Sequence, residues 1–179
     1  MMMKPPRKKP FGFTLVEMTL ALALSLGISA TVVAIMRQQV SFTQINASFQ
    51  FLCQDAPQVN SLLATILQKA DSYSIYGTRA DAMSATSAVQ TGGRALRLRF
   101  RNPDDTENLA VVAFEEISGV SRLNFYFLAT GQTNWPNNPT WVISSRPALV
   151  DFANDTGILL ITMTGPRGEQ ITYAGNPGS

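Results

Sequence analysis

The chain has 179 residues, of which 45% are hydrophobic, and a formal net charge of +2 at pH 7, a composition typical of a folded protein with a core. It contains no histidine and a single cysteine, Cys53, which excludes histidine-based acid–base catalysis, cysteine–histidine nucleophile pairs and a disulfide within this chain. Four of the 14 Lys and Arg residues lie in the first nine positions, so without residues 1–12 there remain 10 basic and 12 acidic side chains, a balance of −2. The basic character of the whole chain is therefore no evidence for general nucleic-acid binding.

The first predicted element is a long apolar helix that follows a short basic leader. Residues 1–12 are basic and rich in proline, and residues 13–36 then run for 24 positions with Glu17 as the one charged side chain. At 1.5 Å per residue such a helix is roughly 36 Å long, which exceeds the ~30 Å hydrocarbon core of a bilayer. Because the basic residues precede the apolar run, we expect a single-pass membrane helix with its N-terminus in the cytoplasm and the rest of the chain outside.

A helical pattern continues beyond the apolar run. Residues 37–54 turn polar but keep a looser apolar stripe, on which we expect a packed Cys53. Pro57 interrupts the pattern, and Asp55 is predicted to cap a second helix, so that Pro57 either kinks one long helix or separates two. Over residues 59–70, apolar side chains recur at i, i+3, i+4, i+7, i+8 and i+11, which predicts an amphipathic helix with one face to bury.

The rest of the chain is predicted to form an antiparallel sheet. Residues 77–93 are small, polar and end in two glycines, which indicates a loop. Strands are predicted over residues 96–101, 109–117, 120–129, 141–146, 158–164 and 170–174. The turns between them favour an antiparallel meander of four to six strands with one face on the 59–70 helix, and hence an α+β fold.

The junction between the leader and the apolar run carries the most specific motif in the chain. It reads Gly12-Phe13-Thr14-Leu15-Val16-Glu17. This segment resembles the processing site of type IV prepilins and type II secretion pseudopilins, in which a glycine precedes Phe, Thr or Ser, two aliphatic residues and Glu. The resemblance in motif covers about residues 4–36. It implies cleavage after Gly12 by the prepilin peptidase, which also N-methylates the new N-terminal Phe13.

The resemblance also implies the organisation and function of the whole chain. Residues 1–12 are then a leader that is removed, residues 13–56 a transmembrane and assembly helix, and residues 57–179 a pilin-like globular head. The implied function is that of a structural subunit, not an enzyme and without a cofactor, which is stored in the bacterial inner membrane. From there it assembles with other pilin or pseudopilin subunits into a helical filament in the periplasm or at the cell surface. The lone cysteine, and the absence of proline between residues 11 and 56, favour a minor subunit; the residues do not choose among a pilus, a secretion pseudopilus and a DNA-uptake machine.

Glu17 is the residue for which a physical role follows most directly. A charged carboxylate in an apolar helix costs several kcal/mol if it has no partner. Cleavage creates a cation at the same depth, namely the Phe13 amine of a neighbouring subunit. The resemblance implies that this pairing sets the axial offset between subunits, so we expect Phe13 and Glu17 to direct filament assembly.

Two other interpretations of the N-terminal segment remain open. A secretory signal peptide would be cut near Ala30, although Glu17 within its apolar core argues against it. A plain single-pass anchor would leave the N-terminus uncut. The corresponding functional alternative is a membrane-anchored extracytoplasmic binding module whose head contacts DNA, carbohydrate or a surface.

Several polar and aromatic residues of the head are further candidates for binding. Arg97, Arg99 and Arg101 alternate along one strand, and we expect a solvated face matched against Glu115, Glu116 or the acids at 104–107 rather than a DNA-binding surface. Asp104, Asp105 and Glu107 lack the ligand spacing of a known calcium loop. Trp135 and Trp141 bracket the loop 130–140, which we expect to fold back on the sheet rather than form a recognition tip.

Overall fold

The computed structural model describes residues 13–175. The backbone is helical from Leu15 to Leu67, in three successive segments: α1 (Leu15–Gln50), a π-helical turn (Phe51–Asp55) and α2 (Ala56–Leu67). Strand β1 (Ser72–Tyr76) and the short helix α3 (Arg79–Ser84) come next. Seven further strands follow: β2 (Ala95–Arg101), β3 (Glu107–Ile117), β4 (Val120–Leu128), β5 (Trp141–Ser144), β6 (Leu149–Asp155), β7 (Ile158–Thr164) and β8 (Gln170–Gly175).

The chain divides into two compact units. The first ends at Ile45 and consists, among the described residues, of most of α1. The second begins at Asn46 and contains α2, α3 and all eight strands. The architecture is therefore α+β, as predicted, with a long apolar N-terminal helix.

Pro57 does not end the helix. It lies in the first turn of α2, and because proline has no N–H it cannot donate to the carbonyl four residues before it. Immediately ahead of it the helix widens, and the Ala56 N–H donates to the Phe51 carbonyl five residues back. The predicted cap at Asp55 is wrong: its backbone is helical (φ −69°, ψ −50°) and its side chain makes no capping hydrogen bond. The reason is that the chain before it is already helical.

The strands form two antiparallel sheets rather than the single meander that was predicted. Strands β1 to β5 are neighbours in chain order, and β6, β7 and β8 form a separate three-stranded sheet. Each of the six predicted strands overlaps an observed one, but β1 and β6 were not predicted. The predicted loop at residues 77–93 contains α3, whose N-cap Thr78 accepts a hydrogen bond from the Asp81 N–H.

The main core lies between α2 and the sheets. The apolar face predicted for the second helix is confirmed: Val59, Leu63, Leu67 and Ala70 are buried. Leu98 of the first sheet and Phe152 of the second pack into the same cluster. Burying each large side chain contributes about 1.5–3 kcal/mol, so this interface holds the second unit together.

The five-stranded sheet is also covered on its other face. Tyr126 and Val111 lie opposite one another on β4 and β3 and join a second buried cluster with Ala82 of α3. Trp135, from the loop after β4, packs against this cluster. The side chains that alternate along β2 to β4 therefore enter two different cores, which explains why so few of them are exposed.

Candidate functional site

The predicted processing site lies at the N-terminal edge of the described residues. Gly12 falls outside them. Phe13 precedes α1 and its side chain is 81% exposed. Among residues 13–175, none covers the position at which the predicted new N-terminus begins.

Thr14 and Glu17 form a reciprocal cap at the start of α1. The Thr14 carbonyl accepts the first helical hydrogen bond, from Met18 N–H at 3.2 Å, which makes Thr14 the N-cap residue. The Thr14 hydroxyl accepts from Glu17 N–H at 3.3 Å. In return, Glu17 Oε2 accepts from the Thr14 N–H at 2.8 Å and from its hydroxyl at 2.9 Å. This is a capping box, and the carboxylate also lies at the positive end of the helix dipole.

The capping box was not predicted, although its signature is in the sequence. The spacing Thr-x-x-Glu ahead of an apolar run is a recognised helix start. The cap occupies only one oxygen of the carboxylate, because Glu17 Oε1 accepts no hydrogen bond from residues 13–175. Glu17 can therefore cap α1 through Oε2 and bind a cation through Oε1 at the same time.

Residues 15–36 of α1 are apolar on all sides, apart from Glu17, and the whole of α1 is exposed. The helix has 36 residues and none of them is buried. Large side chains from Leu15 to Phe49 are exposed, whereas soluble monomers rarely expose apolar patches of more than a few hundred Å². The helix is long and apolar enough to cross a membrane. Small residues such as Ala21, Ala23, Ser25 and Gly27 alternate with leucines, and no other atom lies within 4 Å of a Cβ added at Gly27.

The arginine ladder of β2 is only partly the solvated face that was expected. Arg99 is exposed and pairs with Glu107 at 3.5 Å, as the acids nearby predicted. Arg97 is half-buried, and its Nη1 donates to the carbonyls of Ala82 at 3.1 Å and Met83 at 3.4 Å. It therefore anchors α3 on the sheet rather than facing solvent.

The acidic turn after β2 is held by its own hydrogen bonds. Asp104 accepts from the Thr106 hydroxyl at 2.6 Å and from its N–H at 3.2 Å, and these bonds lower the pKa of the Asp104 carboxyl. Within residues 13–175, no three His, Cys, Asp or Glu side chains are grouped closely enough to hold a metal ion.

Two predictions about single residues have opposite outcomes. Trp135 folds back as expected, and its indole Nε1–H donates to the Met83 carbonyl at 3.0 Å. The packed position predicted for Cys53 is wrong, because its thiol is exposed. The π-helical turn that contains Cys53 has one residue more than an α-helical turn, so the side chains around it depart from the α-helical register used to predict the apolar stripe.

A polar cluster beneath α3 was not predicted. Glu115 of β3 accepts hydrogen bonds from the Asn124 Nδ2 at 2.9 Å and from the Tyr126 hydroxyl, and lies 3.5 Å from the Arg79 Nε. The Arg79 guanidinium also lies 5.1 Å from the centre of the Tyr126 ring. Asn124 is fully buried. The pKa of Tyr126 is raised, chiefly because its hydroxyl is removed from water and also because it is hydrogen-bonded to Glu115. The cluster fastens α3 to the sheet.

These features define a class of protein: an α+β protein with an apolar N-terminal helix long enough to cross a membrane and a capped acidic residue at its start. No protein-family model, curated protein or solved structure matches the chain.

Proposed function

We propose that the chain is a type IV pilin-like structural subunit. A prepilin peptidase and methyltransferase cleaves it after Gly12 and N-methylates Phe13. It then assembles into a type IV pilus or a type II secretion pseudopilus, as a minor component and without enzymatic activity. Before assembly, α1 lies in the bacterial inner membrane with the head outside the cytoplasm.

The observation that carries the proposal is the state of Glu17. It is the one charged side chain among residues 13–36, and its Oε1 has no hydrogen-bond partner in the described part of the chain. A carboxylate at the centre of a membrane helix costs about 3 kcal/mol on insertion scales, and less near the interface. A cation from a second subunit relieves this cost, and the Phe13 amine created by cleavage is such a cation. It reaches Oε1 without breaking the capping box.

The exposed surface of α1 supports the same proposal. In lipid or in a bundle of identical helices, an all-round apolar helix has no side facing water. Small residues among the leucines permit close approach of neighbouring helices. The Phe13 amine of one subunit pairs with Glu17 of the next, and such a contact is heterologous. It therefore extends into a helical filament instead of forming a closed assembly.

Mapping the N-terminus of the mature protein tests the processing step. The chain is expressed with a prepilin peptidase, purified from membranes and analysed by mass spectrometry. The expected first residue is N-methylated Phe13. A start near Thr31 indicates a secretory signal peptide and an uncut start a plain anchor, and either result overturns the proposal.

Two substitutions separate the assembly role of Glu17 from its capping role. Glu17→Gln keeps an oxygen that accepts from Thr14 but removes the charge, whereas Thr14→Val removes the side-chain half of the cap and keeps the carboxylate. Thr19→Val is the matched control, since among the described residues the Thr19 hydroxyl donates only to the Val16 carbonyl, at 2.9 Å. The readout is the amount of each variant in sheared filaments relative to its amount in the membrane.

The proposal predicts that Glu17→Gln is inserted and cleaved but enters filaments about 10–100-fold less, because a hydrogen bond to a charged group contributes about 1.5–3 kcal/mol. Glu17→Ala behaves in the same way. Thr14→Val assembles within about fivefold of wild type, since an N-cap side chain typically contributes about 1 kcal/mol. If Glu17→Gln assembles like wild type while Thr14→Val does not, Glu17 acts only as a cap and its proposed pairing is wrong.

A further inference from the structure

An open pocket of about 660 Å³ lies in the second unit, where β4 runs into the loop that leads to β5. Its lining residues include the aromatic Phe127 and the polar Gln132, Thr133, Asn134 and Thr140. We propose that this pocket is a binding site for a neutral saccharide. The proposal concerns the head alone and does not depend on the assembly role of the N-terminal helix.

The pocket is formed in advance because its loop is tied down. The loop spans the twelve residues between β4 and β5, which is long for a connection in a compact domain. Trp135 fastens its middle to the Met83 carbonyl. At its end, Thr140 N–H donates to the Phe125 carbonyl at 2.8 Å and the Thr140 hydroxyl accepts from Phe127 N–H at 3.1 Å. Binding therefore costs little loop ordering.

An exposed aromatic ring forms one wall of the pocket. The Phe127 side chain is 37% exposed, and its ring is stacked with that of Phe125 at a centroid distance of 6.5 Å and an interplanar angle of 14°. The face of an aromatic ring carries partial negative charge. The C–H groups on one face of a pyranose ring carry partial positive charge, so a sugar stacks on such a wall while its hydroxyls point sideways.

The polar part of the lining matches those hydroxyls. The side chains of Thr133 and Asn134 make no hydrogen bond to any residue within 13–175, and each offers both a donor and an acceptor. Gln132 uses its Oε1 on the Ala129 N–H at 3.4 Å, which leaves its NH₂ group to donate. Sugar hydroxyls likewise donate and accept.

The absence of charge selects among ligand classes. All eight lining residues are uncharged, so the pocket offers no cation for a phosphate, sulfate or carboxylate and no anion for a basic peptide. A nucleic acid or an acidic polysaccharide would leave its charges unpaired there. A neutral saccharide satisfies both the aromatic wall and the amide rim.

The test is binding of defined neutral oligosaccharides to the full chain in detergent micelles. The probes are hexasaccharides of glucose in α and β linkage, of N-acetylglucosamine and of galactose, measured by saturation-transfer NMR and by calorimetry. Heparin serves as the charged probe. Phe127→Ala removes the aromatic wall and Asn134→Ala removes one rim amide. Ile158→Ala is the control, because Ile158 is 45% exposed on the other sheet of the head.

The expected result is saturable binding of at least one neutral hexasaccharide. Its dissociation constant should rise at least fivefold in each of Phe127→Ala and Asn134→Ala and stay within twofold in Ile158→Ala. Absence of saturable binding to every neutral probe overturns the proposal. So does binding that Phe127→Ala leaves unchanged, or binding of heparin alone. Asn134 is on the surface, so its substitution tests the site even where Phe127→Ala impairs folding.

Discussion

Replacing Glu115 by alanine tests whether the polar cluster beneath α3 holds the head together. The substitution removes the acceptor for two donors, the Asn124 Nδ2 at 2.9 Å and the Tyr126 hydroxyl, and the partner of the Arg79 guanidinium. Asn124 is fully buried and its Oδ1 has no partner within residues 13–175. In the variant its Nδ2 also lacks one, so both polar atoms of a buried amide are unpaired.

The magnitude follows from these contacts. A buried donor left without a partner costs about 1–3 kcal/mol, and hydrogen bonds to a charged acceptor contribute about 1.5–3 kcal/mol. The Arg79 ion pair adds less than about 1 kcal/mol because the Arg79 side chain is 35% exposed. We expect Glu115→Ala to lower the free energy of unfolding by about 3 kcal/mol. For a domain of this size that is a decrease in Tm of roughly 10 °C.

Glu116 provides the matched control. It follows Glu115 on the same strand and is exposed, and its side chain makes no hydrogen bond or ion pair with the described residues. Thermal unfolding of the detergent-solubilised chain, followed by tryptophan fluorescence, should show a change of less than about 0.5 kcal/mol for Glu116→Ala. Glu115→Gln, which keeps an acceptor oxygen, should fall between the two. If Glu115→Ala and Glu116→Ala unfold at the same temperature, the cluster does not stabilise the head.

Two further predictions concern the head. A Cβ at Gly93 would lie 2.8 Å from the Tyr76 carbonyl oxygen, so Gly93→Ala should lower the free energy of unfolding by about 2 kcal/mol. At Gly77 an added Cβ would meet no atom within 4 Å, so Gly77→Ala should change the free energy of unfolding by less than 1 kcal/mol in either direction. Equal losses for the two variants in chemical denaturation would contradict this prediction. Because the pKa of Tyr126 is raised in the folded state, its contribution to stability is fully present below about pH 10, the ordinary tyrosine value, and is lost as the pH rises through the folded-state pKa. The fall in unfolding free energy between pH 9 and 12 should therefore be smaller in Tyr126→Phe than in wild type, and equal slopes would refute the assignment.

The helical structure of residues 15–67 could be predicted from local sequence. The helical run over 15–50 follows from the apolar stretch of residues 13–36 and the looser apolar stripe after it. The buried face of α2 follows from apolar spacing alone. Both depend on residues within one or two turns of one another. The capping box at Thr14 and the N-cap at Thr78 each depend on residues three positions apart. They were readable by the same rule, although neither was predicted.

The structure of the head depends on contacts between segments that are distant in the sequence. Three of the seven residues of strand β6 are polar, namely Asp151, Asn154 and Asp155. The segment forms a strand because it pairs with β7 and, at Phe152, with Gly93 some sixty residues earlier. Arg97 reads as a solvent-facing residue of an alternating strand, yet the folding of α3 over it gives its guanidinium two backbone carbonyls.

Local patterns thus specify the long helical run, six of the eight strands and the apolar side of α2. They do not specify which residues pack against the polar side of a helix or strand, because those residues come from segments tens of positions away in the sequence. The division into two sheets, the pairing of Glu115 with Arg79, and the pocket beside Phe127 all depend on such partners. Only the folded chain places them together.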